Sequence, residues 1–172
     1  PRQFFDLLNE GKESVVVDPR TTEGRGLMRR LVDRAAVVVE ASRPRALRQW
    51  GLDAKTEVEG GTVWVSITGY GRVGPRSGGV AFGDDAAVSG GLLLDNPVGF
   101  VADAPADPAG GLVAAALALA GVADPAGWLV DVPLAGVAAW LAGDPRIPDH
   151  PVEAEVAPPR ARRVGGSAAG LG

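Results

Sequence analysis

The chain of 172 residues has no cysteine, which excludes disulfides, thiolate catalysis and cysteine-bound metal. Its single histidine, His150, lies in the Pro-rich segment PRIPDHPVE with no nucleophile or metal partner near it in sequence. It reads as a solvated loop residue, not a catalytic base. Basic excess is also missing: 17 Lys and Arg stand against 21 Asp and Glu, for a net charge of −4 and a pI near 5.0. That excludes bulk nucleic-acid binding. The apolar stretch Gly110–Ala123 is too short and too rich in small residues to span a bilayer, so no membrane partner is expected. The opening PRQFFDLLNE lacks the pattern of a signal peptide, and a cytoplasmic location is the expectation. The chain opens on Pro1 and closes on GGSAAGLG, and is read as a piece of something longer.

What is present is a globular composition, 46% hydrophobic, broken by 25 glycines and 14 prolines. Length suggests one domain with one sizeable core. Residues 1–11 read as a short amphipathic helix carrying Phe4, Phe5, Leu7 and Leu8. The run SVVVD, residues 14–18, reads as a buried strand, and Thr21-Thr22-Glu23 opens a helix through Arg34. A second strand, AVVVE, spans residues 36–40. Strand, helix and strand in so short a span predict a βαβ unit and an α/β fold with a parallel sheet. A short helix over residues 44–50 stops at Gly51. A third strand, TVWVSIT (62–68), then leads into GYGRVGP. Residues 78–99 read as loop with a short helix around 85–89. A small-residue helix over 110–123, a fourth strand WLVDV (128–132) and a helix over 134–141 follow. Residues 1–142 thus form the expected domain and 143–172 a Pro-, Gly- and Arg-rich tail or linker.

Four motifs bear on chemistry. Gly69, Gly71 and Gly74 fit G-x-G-x-x-G after a strand, but Pro75 stands where a phosphate-cradling helix would open, so the dinucleotide-binding reading fails. The loop is then either a ligand-lining loop at the carboxyl end of a strand or a simple turn. Arg43, Arg45 and Arg48 either pair with phosphates through forked hydrogen bonds or form a solvated face, the commoner outcome for a charge run. Asp84-Asp85 are sequence neighbours, which seldom converge on one site, so no metal is assigned. Asp107-Pro108 before Gly110-Gly111 has two readings. One is a helix cap, with Asp accepting from free N–H groups and Pro at the first helical position. The other is a functional carboxylate, favoured by the positive helix end, with glycines that let a substrate approach the backbone. Trp50, Trp64, Trp128 and Trp140 are expected in the core.

Taken in order, VVVDPRTTEGR, VVVEASRPRALRQWGLD, VWVSITGYGRVGP, VADAPADPAGGLVAAALALAG and WLVDVPLAG resemble the family III CoA-transferases, the CaiB/BaiF family, over Val15 to Gly136. The resemblance implies a Rossmann-like large domain of which this chain is the central part. It implies that an aspartate moves CoA between an acyl-CoA and a carboxylic acid through an aspartyl-CoA thioester. Asp107 matches that position in the D-P-x-x-G-L pattern, and Asp103 ranks second. No permanent cofactor is implied; coenzyme A enters as substrate. The loop with Gly69, Tyr70, Gly71 and Gly74 would line the active site beside Gly110 and Gly111. The segment EASRPRALRQWGL matches the CoA-contacting stretch E-N-F-R-P-G. Arg43 and Pro44 are retained, Ala41 and Ser42 replace Asn and Phe, and Gln49 stands where Arg is common. Arg45 or Arg48 would compensate. Family members are more than twice this length and form interlocked ring-shaped dimers, so a homodimer or a second chain is the expected partner. The alternative is a non-catalytic CoA-binding remnant that pairs with another chain.

Overall fold

The computed structural model describes residues 2–42, 44–143 and 160–163. The elements run α1 (Arg2–Asn9), α2 (Thr22–Asp33), β1 (Val37–Glu40), α3 (Pro44–Gln49), α4 (Ala54–Glu59), β2 (Val63–Thr68), α5 (Gly83–Ser89), β3 (Leu93–Asp95), β4 (Val98–Phe100), α6 (Ala106–Val122), β5 (Trp128–Pro133), α7 (Leu134–Ala142) and β6 (Arg160–Arg163). The main sheet has the order β1-β2-β5-β6. Its first three strands are parallel, with Val37 opposite Val63 and Val63 opposite Trp128. The parallel α/β fold expected from the sequence is the observed one. β6 joins β5 antiparallel, and the rest of the segment read as a tail, beyond Gly143, lies outside the described residues.

Two helical layers cover the sheet. On one face Val63, Val65, Val130 and Val132 pack with Ala114 and Ala118 of α6 and Val137 of α7. On the other, Trp64 packs with Val32 of α2, Leu47 of α3, Leu52, and Ala54 and Val58 of α4. Period-two alternation along each strand sends neighbouring side chains to opposite layers. Val65, Val130 and Val132 are fully buried, each stabilising the fold by about 1.5–3 kcal/mol. α6 presents Gly110, Ala114, Ala118 and Gly121 inward. That small-residue face lets its backbone approach the sheet closely; a Cβ on Gly121 would meet the Val63 methyls at 3.0 Å.

Several expectations are corrected. SVVVD forms no strand: Val15 is half exposed and Val16 is 96% exposed. β1 is the sheet's edge among the described strands, and this β-branched run does not pair with it. The first βαβ unit is therefore β1, the α3–α4 pair and β2. α4 was missed because its signal is short; Asp53 caps it by accepting from the Lys55 N–H at 2.9 Å. The region read as loop over 78–99 holds the β3–β4 hairpin, and α5 begins at Gly83. Trp64 is buried, and Trp50 and Trp128 pack against the core, but Trp140 is 66% exposed.

Candidate functional site

Three strand ends and two helix starts converge near the Gly69–Gly74 loop. At the carboxyl ends of β1, β2 and β5, register aligns Glu40, Ser66 and Asp131 on one face. Arg72, from the loop, completes this row. Its guanidinium donates to Ser66 Oγ and to Glu40 Oε1, the latter at 3.3 Å. Its backbone N–H donates to Asp131 Oδ2 at 2.7 Å. Ser66 Oγ donates to Glu40 Oε1 at 2.6 Å, and the Ser42 N–H to Glu40 Oε2 at 2.8 Å. Thr68 accepts from the Gly71 N–H at 2.8 Å and donates to Asp131 Oδ1 at 3.3 Å. The loop is thus tied to the sheet at two consecutive amides. Gly71 at φ +96° and Gly74 at φ +100° supply left-handed turns that a side chain would disfavour.

Sequence reasoning missed this row. Its signal was legible: in each of the three strands a run of three apolar residues is followed by a polar one, and register brings those polar residues together.

Beside the row is a shallow hollow lined by Leu47, Arg48, Leu52, Asp53, Trp64 and Arg72. The buried indole N–H of Trp64 has no hydrogen-bond partner there. Arg48 is exposed at its rim, and Gln49 is exposed too. Of the other residues expected to bind ligand, Arg43 lies outside the described residues, as do the side chains of Pro44 and Arg45. Tyr70 faces α5: its hydroxyl lies 3.4 Å from Ser89 Oγ, and the Arg76 guanidinium stacks 3.5 Å from its ring centroid.

Asp107 occupies the first turn of α6, one residue inside the helix start, and is exposed. The cap reading is corrected: the cap position is Pro105, which makes no side-chain bond, and Pro108 is the third helical residue. A first-turn Pro is tolerated because the N–H groups there lack intrahelical partners. The Asp107 backbone N–H donates to Ala104 O at 3.1 Å. Below it, a Cβ on Gly83 would lie 2.7 Å from Asp107 Cγ, so only glycine leaves room for the carboxylate.

The two glycines after Asp107 differ. Gly110 is buried against Leu134, whereas Gly111 is exposed with open space where a side chain would be. Gly69 closes the constellation: its carbonyl accepts from the Ala135 N–H at 3.0 Å, and its Cα lies against Ala81, two residues before Gly83. Asp103 is exposed four residues before Asp107. Among the described residues no group of three or more acidic or histidine side chains has metal-site geometry, and no helix is long and apolar enough to cross a membrane.

This arrangement sets an exposed carboxylate at the positive end of a 17-residue helix, beside Gly83. Chemically, it suits attack on a carbonyl carbon that needs no cysteine or histidine. Comparison with known proteins finds CoA-transferases. Succinyl-CoA–D-citramalate CoA-transferase of Chloroflexus aurantiacus is 32% identical over 91 residues, covering 52% of this chain and 23% of that one. Succinate–glutarate CoA-transferase of Agrobacterium fabrum is 39% identical over 74 residues, covering 42% and 18%. The crystal structure of a CaiB/BaiF family protein from Brucella suis superposes with a TM-score of 0.72 at 28% identity, over 78% of this chain and 39% of that one. The matched stretch therefore spans less than a quarter of those two enzymes. The family model for CoA-transferase family III matches residues 1–169, and the chain belongs to that family.

Proposed function

We propose that this chain carries the nucleophile of an acyl-CoA transferase that moves CoA from an acyl-CoA to a carboxylic acid, with Asp107 as the attacking group. The observation that carries the reading is the placement of Asp107: exposed, in the first turn of α6, over the gap that Gly83 leaves. A carboxylate oxygen attacks the thioester carbonyl, the C–S bond breaks, and a mixed anhydride and CoA thiolate result. The thiolate then attacks the aspartyl carbonyl, releasing the donor acid and leaving an aspartyl-CoA thioester. The acceptor carboxylate attacks that thioester, giving a second anhydride and free thiolate. Attack of the thiolate on the acceptor acyl carbon forms the product thioester and restores Asp107. Each step exchanges one bond for another, with no redox change and no resident cofactor. N–H groups at the start of α6 favour the oxyanions that form.

In this reading Gly111 and the loop of Gly69, Gly71 and Gly74 face the acyl part of the substrate. Arg48, with Arg43 and Arg45, serves the phosphates of CoA. Family membership supports the reaction class, as do relatives named for transfer between succinyl-CoA or succinate and another acid. A cytoplasmic enzyme that pairs with a second copy or a second chain goes with it. The runner-up, a CoA-binding piece without chemistry of its own, draws on Ala41, Ser42 and Gln49 in the CoA-contacting stretch.

The test is trapping. The protein is incubated with acyl-CoAs including succinyl-CoA, treated with hydroxylamine and mapped by mass spectrometry. A hydroxamate at residue 107 that vanishes in Asp107→Ala supports transfer chemistry. CoA binding without any adduct supports the runner-up. An adduct that persists in Asp107→Ala would move the nucleophile elsewhere, with Asp103 next to be tested.

A further inference from the structure

The turn before Asp107 contains the one non-glycine residue at positive φ among the described residues, Ala104 at φ +45°. Left-handed backbone is disfavoured for a residue with a Cβ and persists where surroundings hold it. Here the holder is visible. Asp84, in the first turn of α5, accepts from the Ala104 N–H at 2.7 Å through Oδ1. The other side of the same residue is equally engaged: the Ala104 carbonyl accepts from the Asp107 N–H at 3.1 Å. Gly83, next to Asp84, packs against both; a Cβ there would lie 2.8 Å from Ala104 Cβ and 2.7 Å from Asp107 Cγ. A charged acceptor on a backbone N–H is stronger than a neutral one. α5 itself is anchored, with Ala86 and Ala87 buried against α7.

We infer that Asp84 is a positioning residue for Asp107. Its carboxylate clamps Ala104 in a left-handed conformation, and that clamp fixes where the Asp107 carboxylate stands when it attacks. The inference rests on the reading of Asp107 as nucleophile. It also gives Asp84 a task that the adjacent Asp85 does not share. Asp85 accepts from the Phe82 N–H at 3.1 Å and so serves the start of α5 alone.

The test uses single-turnover labelling of Asp107 by succinyl-CoA in the full chain, as a function of succinyl-CoA concentration. Asp84→Ala is expected to lower the maximal labelling rate on the order of 10–100-fold, the scale of a misplaced reacting group, while the half-saturating concentration stays within about twofold. Asp84→Asn keeps an acceptor oxygen and is expected to recover most of that rate. Asp85→Ala, in the same assay, should lose less than Asp84→Ala. Labelling by Asp84→Ala at the wild-type rate would overturn the inference, as would equal losses in Asp84→Ala and Asp85→Ala.

Amide hydrogen exchange at Ala104 reads the clamp without activity. Exchange about tenfold faster or more in Asp84→Ala is expected, with most of the protection kept in Asp84→Asn, and unchanged protection in Asp84→Ala overturns the inference. If Asp84→Ala does not fold, Asp84→Ser, too short to reach the Ala104 N–H, carries both readouts in its place. A wild-type protein that is not labelled, yet shows the exchange change, would sink the Asp107 reading and leave the clamp in place.

Discussion

Glu40 and Asp107 are both carboxylates near the mouth of the same sheet, and the protein treats them in opposite ways. Glu40 is covered, its side chain 6% exposed, and its two oxygens accept from Ser42, Ser66 and Arg72. Asp107 is exposed on a helix start, and what is bonded there is the backbone around it, through Ala104 and Asp84. One carboxylate is used up in holding two strand ends and a loop together. The other is held by its main chain, which leaves the side chain open to solvent. A buried carboxylate without partners would cost several kcal/mol, so Glu40 must be saturated. An exposed one carries no such demand.

The largest expected contrast comes from deleting each carboxylate. Asp107→Ala should abolish acyl transfer and leave the melting temperature within a degree or two, the usual behaviour of an exposed position, where stability changes stay within about 0.5 kcal/mol. A large drop in melting temperature would mean that Asp107 is structural and would break the comparison. Next is Arg72→Met. It strands Glu40 beneath the surface and should destabilise by about 3–5 kcal/mol in urea unfolding. Replacing the group together, Arg72→Met with Glu40→Leu and Ser66→Ala, should recover most of that loss, because no charge is then buried alone. Failure to recover would show that the row acts by placing the loop as well as by mutual neutralisation.

A smaller effect is expected away from both regions. Thr21 caps α2 by accepting from the Gly24 N–H at 2.9 Å, and Thr21→Ala should cost about 1 kcal/mol in thermal unfolding with transfer unchanged. The smallest concerns Asp18, whose hydrogen bonds from the Arg20 side chain and backbone hold its carboxyl below the usual aspartate value of 3.8. A lowered folded-state pKa means stability that is present above the unfolded value and lost as pH falls through the folded one. Asp18→Asn should therefore remove a small stabilisation at neutral pH and flatten the acid limb of a stability–pH curve below about pH 4, the range set by the ordinary aspartate pKa, where variant and wild type converge. An equal loss at pH 7 and pH 3 would contradict that assignment.

How much of this was legible beforehand follows from range. The three parallel strands, α2 opening at Thr21-Thr22-Glu23, the α6 helix and Asp107 as candidate all came from short-range pattern: β-branched runs, 3.6-residue periodicity, and an aspartate followed by proline and glycines. The strand expected at SVVVD failed for the complementary reason. A β-branched run is only permission to pair, and at Val16 no neighbouring strand takes the offer up. α4 and the β3–β4 hairpin are too short to announce themselves by period. Trp140 was assigned to the core by residue type, whereas α7 turns it outward.

By itself, then, the sequence determined the alternation that makes a parallel α/β sheet, the small-residue face of α6, and the chemistry open to a chain with no cysteine and one histidine. These follow from local sterics, side-chain size and residue inventory, which need no partner. Tertiary structure alone decided which carboxylate is spent and which is exposed. Glu40, Ser66 and Asp131 are 26 and 65 positions apart in the chain, counted from Ser66, and only strand register lines them up with Arg72. Asp84 and Ala104, 20 residues apart, meet only because α5 packs beside α6. Such contacts depend on where the backbone has been carried by burial elsewhere, and no window along the chain contains that information.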